Sequence, residues 1–202
     1  MAVRFFAVTS SSTGVTSASV VISDSRLSIA EVENGIVTVK FENGECVFSG
    51  VTGDMTSYKV NGKELMAEKN AEAAGFIPNL YRALIDNDAR MRGTWSEGGL
   101  DSLKKSVKSF DAHINDGEIE IVSVFALKAK RKELYEVKTT YTVSSLGAIE
   151  VNAQLKVTGE NAVLDIPRFG LTVELNRAFE NVTYYGRGTV CAVVCYILCK
   201  AV

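Results

Sequence analysis

The densest group of side chains that could do chemistry is the acidic run Asp86-Asn87-Asp88, which follows Tyr81 and Arg82. On an extended chain, carboxylates at positions i and i+2 share a face and lie roughly 6–7 Å apart. Glycosidases use two carboxyl groups about 5–9.5 Å apart. Such pairs are also common in turns, where the carboxylates accept hydrogen bonds from backbone N–H groups. We expect the turn role here, and we assign no catalytic residue in this chain.

Residue types that bind metals are present but lack the spacing of a metal site. Asp and Asn supply oxygen ligands to hard cations, yet the acidic run does not follow the calcium-loop pattern. Cys191, Cys195 and Cys199 would line one face of a helix, but a zinc site needs further ligands elsewhere. The single histidine, His113, argues against a His-based triad or a His-rich metal site. We therefore expect no metal and no cofactor in this chain.

The composition is that of an ordinary globular domain. The 202 residues are 47% hydrophobic and 23% charged, with a net charge of −2. Nucleic-acid-binding domains carry a basic excess, and segments that bind anionic lipid carry a polybasic patch, so neither partner is expected. The apolar stretches Arg4–Val8 and Val190–Val202 are too short for a signal-peptide core or a membrane span. The cysteines form no spread disulfide framework, so the sequence predicts a cytoplasmic protein.

The elements that would position these side chains are nearly all strands. Alternating apolar and polar residues predict strands at Ile36–Phe41, Glu45–Phe48, Met55–Val60, Val107–Ile114, Glu118–Lys130, Lys132–Val143, Ala148–Val157 and Phe169–Leu175. Hairpin turns are predicted at Asn43-Gly44, Asn61-Gly62, Asn115–Gly117 and Ser144–Gly147. Strands spaced by about 8–14 residues are typical of an all-β sandwich or barrel.

Two segments depart from this strand pattern. A short helix is predicted near Trp95–Lys105. The basic run Lys128–Lys132 is predicted to be a solvated turn at a strand end.

Three stretches, taken in order, resemble one known family. They are the hairpin at 47–65, the segment Asn79–Asp88 followed by Trp95 and Gly99-Leu100, and the segment Ile166–Leu171 leading to 182–188. They are similar to the C-terminal small-chain domain of the large β-galactosidases of glycoside hydrolase family 2. The resemblance implies a large antiparallel β-sandwich, of the galactose mutarotase-like super-sandwich type, over residues 28–188.

Two departures from the family pattern bear on the ends of the domain. Leu84 stands where the family has proline, and the polar loop expected after Gly188 is replaced by an apolar, cysteine-rich tail over residues 189–202. The sandwich is therefore expected to be incomplete at its C-terminus. Residues 1–27, rich in Ser and Thr, are expected to be a linker or a cloning remnant.

The family's catalytic glutamates lie on a separate (β/α)8 barrel, and its magnesium and sodium ions bind on other domains. The resemblance thus implies a non-catalytic module, inactive alone, that packs on the barrel and helps shape the galactoside-binding cleft. Its partners would be the rest of the β-galactosidase chain or its large subunit, the galactoside in the intact enzyme, and second copies through unpaired strand edges.

A loop of five residues is the candidate for contact with substrate: Tyr81, Arg82, Asp86, Asn87 and Asp88. The guanidinium fork of Arg82 is expected to hold the carboxylate of Asp86 or Asp88. Arg168 and Arg187 are weaker candidates of the same kind.

Two alternative functions stay open at this point. A free-standing carbohydrate-binding module would use exposed aromatic side chains, for which Tyr81, Trp95, Tyr184 and Tyr185 are available. A mutarotase-like sugar isomerase, suggested by fold analogy alone, would need a general acid and base, with His113 as the one histidine.

Overall fold

The computed structural model describes residues 28–30, 35–67, 75–115, 117–179 and 198–199, which form three β-sheets and a short helix, α1 (Arg92–Glu97). The first sheet contains, in spatial order, β1 (Ser28–Ala30), β2 (Ile36–Phe41), β3 (Gly44–Ser49), β4 (Asp54–Val60) and β5 (Lys63–Glu64). The second contains β10 (Ile149–Val157), β9 (Lys132–Val143), β8 (Glu118–Ala129) and β7 (Lys104–Asn115). The third contains β12 (Leu198–Cys199), β11 (Gly170–Val173) and β6 (Ile77–Asn79).

The first sheet follows from its alternating sequence. In β2, Val37, Val39 and Phe41 are buried, which places the apolar side chains on one face of the strand. The turn between β4 and β5 is Asn61-Gly62, as predicted, and its two residues have φ values of 50° and 74°. A two-residue turn of this hand requires positive φ at both positions, which Asn and Gly tolerate best.

The prediction of a turn at Asn43-Gly44 is wrong by one residue. Phe41 pairs with Gly44, so the turn residues between β2 and β3 are Glu42 and Asn43. Gly44 lies in β3, where an added Cβ atom would collide with the carbonyl oxygen of Lys59. This glycine is therefore required by close approach of two strands and not by a positive φ.

The two inner strands of the second sheet, β8 and β9, bury one face along most of their length. Half of that face, including Ile121 and Tyr141, shares a core with the first sheet. The ring centroids of Phe48 and Tyr141 lie 5.1 Å apart in a tilted arrangement. Two antiparallel sheets thus pack face to face, which is the architecture of a β-sandwich.

The other half of the buried face lies under α1 and the loops around it. Phe125 and Tyr135 of the second sheet pack there with Trp95 of α1. The helix predicted at Trp95–Lys105 is displaced: α1 ends at Glu97, a 3-10 turn follows at Leu100–Ser102, and β7 begins at Lys104. Gly99, with φ of 70°, interrupts the helical path, because only a residue that tolerates the left-handed region can end it this way.

The third sheet contains a parallel pair. β11 pairs antiparallel with β6 and parallel with β12. A parallel pair needs a long connection, and more than twenty residues separate β11 from β12 in the sequence. The prediction of an all-β sandwich is confirmed, and in the described part of the chain the strands β2–β4 and β7–β11 lie close to their predicted positions.

Several predictions concern residues outside the described ranges. They are the segment 1–27, the boundary at Gly188, the aromatic residues Tyr184 and Tyr185, Arg187, and the cysteines Cys191 and Cys195. In the part of the chain that the structure describes, no helix has the length and apolar character to cross a bilayer.

Candidate functional site

Arg82 and Asp88 form a two-point ion pair that closes the loop between β6 and α1. The Arg82 Nη1–Asp88 Oδ2 distance is 2.7 Å, and the Arg82 Nη2–Asp88 Oδ1 distance is 2.8 Å. The Asp88 side chain is 8% exposed and that of Arg82 is 29% exposed. Of the two carboxylates expected as partners of Arg82, the structure thus selects Asp88. Parallel double hydrogen bonds of this kind fix orientation as well as distance.

Asp88 also holds the backbone of the loop. Its Oδ2 atom accepts a hydrogen bond from the Ile85 N–H at 2.8 Å, and its own N–H donates to the Ile85 carbonyl oxygen at 3.0 Å. Asp88 therefore stabilises the start of the 3-10 turn Asp86–Asp88, since its carboxylate satisfies an N–H group left without a helical partner.

The acidic run is not extended, and this changes what its carboxylates can do. Asp86 and Asp88 lie on a 3-10 turn, where three residues complete one turn and positions i and i+2 point in different directions. Asp88 is buried, whereas Asp86 and Asn87 are exposed. The run therefore has the turn role expected from the sequence, in which a carboxylate accepts a hydrogen bond from a backbone N–H group, and the two carboxylates do not share the face that an extended chain would give them.

The base of the loop rests on the core under the second sheet. The Arg82 Cζ atom lies 6.0 Å from the centre of the Trp95 ring, within the range of a cation–π contact. Trp95 is buried, and its Nε1 atom donates to the Asp165 carbonyl oxygen at 2.6 Å. Tyr81 and Leu84 are half-buried against the same core. The loop thus has a packed inner side and an exposed tip.

The electrostatics of the loop favour a charged Asp88. Hydrogen bonds from Arg82, followed by that from Ile85, lower the pKa of Asp88. Both oxygens of this carboxylate already accept hydrogen bonds from the loop. The described residues hold no group of three Asp, Glu, His or Cys side chains that could bind a metal ion.

Comparison with known proteins decides the family. A family model described as "Beta galactosidase small chain" matches residues 40–190. The chain belongs to this family. The resemblance seen in the sequence is confirmed, and the pinned loop between β6 and α1 lies within the matched part of the β-galactosidase small-chain domain.

Relatives of known description support the same family, since each is described as a β-galactosidase. The chain is 27% identical over 157 residues to the β-galactosidase of Priestia megaterium, covering 75% of this chain and 14% of the relative. It is 30% identical over 112 residues to that of Staphylococcus xylosus, covering 54% and 11%. It is 25% identical over 165 residues to that of Kluyveromyces lactis, covering 79% and 16%. This chain thus covers between 11% and 16% of the length of these relatives.

The other candidate residues of the small-chain domain lie in different surroundings. His113 lies on β7, and its Nε2 atom is 3.0 Å from Glu120 Oε2. Arg168 is half-buried, and its Nε atom is buried with no hydrogen-bond partner. Trp95, a candidate for an exposed sugar-binding aromatic, is buried, so that expectation is wrong for this residue.

Asp88→Asn is expected to loosen the pinned loop, because the amide removes the charge that Arg82 binds. Hydrogen exchange of the Ile85 amide should accelerate by about tenfold or more. The matched control is Asp86→Asn, since Asp86 is exposed. Because the pKa of Asp88 is lowered, the loop should stay protected above the ordinary carboxyl pKa and lose protection as the pH falls through the lowered value. Equal exchange in both variants would contradict this role.

Sequence reasoning missed a buried ion pair between the two sheets. Asp54 begins β4 in the first sheet and binds the Lys105 ammonium of β7 in the second. The Lys105 Nζ atom also lies 4.6 Å from the centre of the Phe125 ring. Burial raises the pKa of Asp54 and lowers that of Lys105. The two residues are 51 positions apart, so no local pattern could have paired them.

The basic run Lys128–Lys132 is a turn, as predicted, but an unusual one. β8 ends at Ala129 and β9 begins at Lys132, so the turn residues are Lys130 and Arg131, with φ values of 49° and 67°. Residues with a Cβ atom are unfavourable in this region by roughly 1–2 kcal/mol each. The sequence did reveal the charges here, but charge alone does not predict the backbone conformation.

Proposed function

We propose that this small-chain domain is a non-catalytic module that packs on the catalytic part of a larger β-galactosidase and helps to shape its galactoside-binding cleft. The observation that carries the proposal is the loop between β6 and α1. Its base is held by the Arg82–Asp88 ion pair, while Ile85, Asp86 and Asn87 are exposed at its tip. A rigid base with an exposed tip is suited to presenting side chains to a neighbouring domain or to a ligand.

The arrangement of the carboxylates supports a non-catalytic role. A glycosidase needs one carboxyl group as an acid and a second as a base or nucleophile. Asp88 is bound by Arg82 and its pKa is lowered, which makes it a poor proton donor near neutral pH. Asp86 points elsewhere on the 3-10 turn, so the chemistry would have to come from another part of the enzyme.

The partner in this proposal is the rest of a β-galactosidase chain or its large subunit. The relatives are described as β-galactosidases, and this chain covers only 14% of the length of the Priestia megaterium protein. Ile85 is 53% exposed at the loop tip, so its apolar side chain is accessible to a neighbouring domain. Self-association through unpaired strand edges and a cytoplasmic location stay predictions of the sequence.

The structure weakens the two alternative functions. A carbohydrate-binding module needs an exposed aromatic platform, and of the two candidate aromatic residues within the described ranges Trp95 is buried and Tyr81 is half-buried. A surface depression of about 460 Å³ between α1 and residues 161–165 has Glu97 and Asp165 as its charged residues and no aromatic lining. A mutarotase-like site would need His113 in a pocket, and His113 lines neither this depression nor the one at the β8–β9 turn.

Calorimetry with galactose and lactose tests the proposal against its alternatives. The full chain should give no binding heat at millimolar sugar, because the cleft requires the catalytic part of the enzyme. Polarimetry of fresh α-galactose should show the uncatalysed rate of mutarotation. Binding at millimolar or lower sugar would favour a carbohydrate-binding module, and accelerated mutarotation that is lost in a His113→Ala variant would favour the isomerase.

A further inference from the structure

The β8–β9 turn combines two features that oppose folding. Its residues Lys130 and Arg131 both have positive φ, whereas the β4–β5 turn of the same chain uses Asn61-Gly62 for nearly the same backbone conformation. Asn and Gly are the residues that such turns favour. A strained backbone that the rest of the fold maintains is a reason to look for a function at that position.

Like charges also face each other beside this turn. Lys104 of β7 pairs directly with Lys128 of β8, and like charges directly opposite on neighbouring strands are destabilising. Glu133 lies opposite Lys128 on the other side, but its carboxylate binds Lys108 Nζ at 2.9 Å. The positive charge around the turn is therefore only partly compensated by acidic groups of the chain.

One surface depression is lined by four cationic side chains, two from the paired strands and two from the turn. It has a volume of about 430 Å³ and is lined by Ser102, Lys104, Lys128, Lys130 and Arg131. The Lys130 Nζ atom lies 3.3 Å from the Glu97 carbonyl oxygen, which tethers one of the cations at the rim. A concave surface bordered by three ammonium groups and one guanidinium concentrates positive potential on a single small volume.

We propose that this depression binds an oxyanion with two negative charges, either phosphate or a phosphate monoester such as a sugar phosphate. The guanidinium of Arg131 can donate two parallel hydrogen bonds to two phosphate oxygens, and the lysines act as point charges around it. A bound dianion would offset the repulsion between Lys104 and Lys128. The depression has room for a phosphate group and part of the molecule that carries it. This inference does not depend on the proposed role in a β-galactosidase.

Calorimetry of the full chain with inorganic phosphate and with glucose 6-phosphate, at constant ionic strength, tests the site. Both should bind, and tighter binding of glucose 6-phosphate would identify a monoester as the preferred ligand, while glucose should not bind. Arg131→Ala should weaken binding by about tenfold or more. The matched control is Lys63→Ala, at an exposed lysine beside the Asn61-Gly62 turn, which should leave binding unchanged.

A variant in which the β8–β9 turn takes the sequence of the β4–β5 turn distinguishes binding at this site from non-specific attraction of anions. Replacing the pair by the sequence of the other turn, Lys130→Asn with Arg131→Gly, should raise the melting temperature by several degrees in the absence of phosphate. Phosphate should raise the melting temperature of the native chain but not of this variant.

Three results would overturn the proposal. The first is an equal effect of phosphate on the native chain and the turn-exchange variant. The second is an equal loss of binding in Lys63→Ala and Arg131→Ala, which would indicate non-specific charge attraction. The third is binding of a poly-glutamate peptide without binding of phosphate or glucose 6-phosphate, which would assign the surface to an acidic protein partner.

Discussion

Lys105→Met is expected to lower the free energy of unfolding by about 3–5 kcal/mol. The reason is that this substitution leaves the carboxylate of Asp54 without its ion-pair partner. Asp54 is 2% exposed, and without the Lys105 ammonium its charge would be buried with no compensation. Methionine keeps the apolar volume of the lysine stem against Phe125, so the loss would report the charge and not a cavity. Chemical unfolding of both chains in urea measures the difference.

The pH dependence of the Lys105→Met variant gives a second readout with a definite sign. Burial already raises the pKa of Asp54, and loss of the ammonium would raise it further. An acid whose folded pKa is raised contributes stability below its unfolded pKa and loses that contribution as the pH rises through the folded value. The deficit of the variant should therefore be small near pH 4 and larger at pH 8.

The double variant Asp54→Asn with Lys105→Met is the matched control. Replacing both members of a buried ion pair is often neutral or stabilising, so the double variant should recover most of the stability that Lys105→Met loses. If the double variant is less stable than either single variant, the two residues contribute independently, and the ion pair does not join the two sheets in the way described here.

Trp95→Ala is expected to lower the free energy of unfolding by about 3–5 kcal/mol, because it removes a large buried ring from the core under the second sheet. Trp95 is 5% exposed and contributes to the packing of α1 on Phe125 and Tyr135. The same ring lies beneath Arg82, so the substitution should also loosen the pinned loop. Urea unfolding and hydrogen exchange of the Ile85 amide measure the two effects.

Trp95→Phe distinguishes the contribution of the buried ring to stability from that of its hydrogen bond. Phenylalanine fills much of the volume but cannot donate to the Asp165 carbonyl oxygen, which Trp95 Nε1 reaches at 2.6 Å. The expected loss is smaller, about 1–3 kcal/mol for the unsatisfied carbonyl and the reduced packing, and the loop should stay protected. Equal losses in Trp95→Phe and Trp95→Ala would show that the hydrogen bond, and not the ring, supports this region.

The strands were largely predictable because their signals are local. The alternation in Ile36–Phe41 and in Lys132–Val143 fixes which face is buried, and the observed strands have these same bounds. The Arg82–Asp88 pair was also within reach, since the residues are six positions apart and their charges and shapes are complementary. The sequence predicted a turn at the acidic run, but it could not show that Arg82 binds Asp88 and not Asp86, because that choice depends on the 3-10 conformation of the turn.

Long-range contacts account for the other errors. The turn at Asn43-Gly44 was misplaced because the glycine is required by the approach of Lys59 on another strand, a contact that no local motif reveals. A lysine on a strand is usually expected to face solvent. The partial burial of Lys105 is explained by its ion pair with Asp54 of the other sheet. The helix near Trp95 was placed too far along the chain because Gly99 ends the helical path before the apolar pattern changes.

Release of nitrophenol from a chromogenic galactoside by the purified full chain would reveal hydrolysis by the Asp86–Asp88 turn. We expect none, because Arg82 binds the Asp88 carboxylate. The expected result is the rate of the buffer control at any protein concentration. Hydrolysis that rises in proportion to the protein, and that disappears in Asp86→Asn or Asp88→Asn, would contradict it.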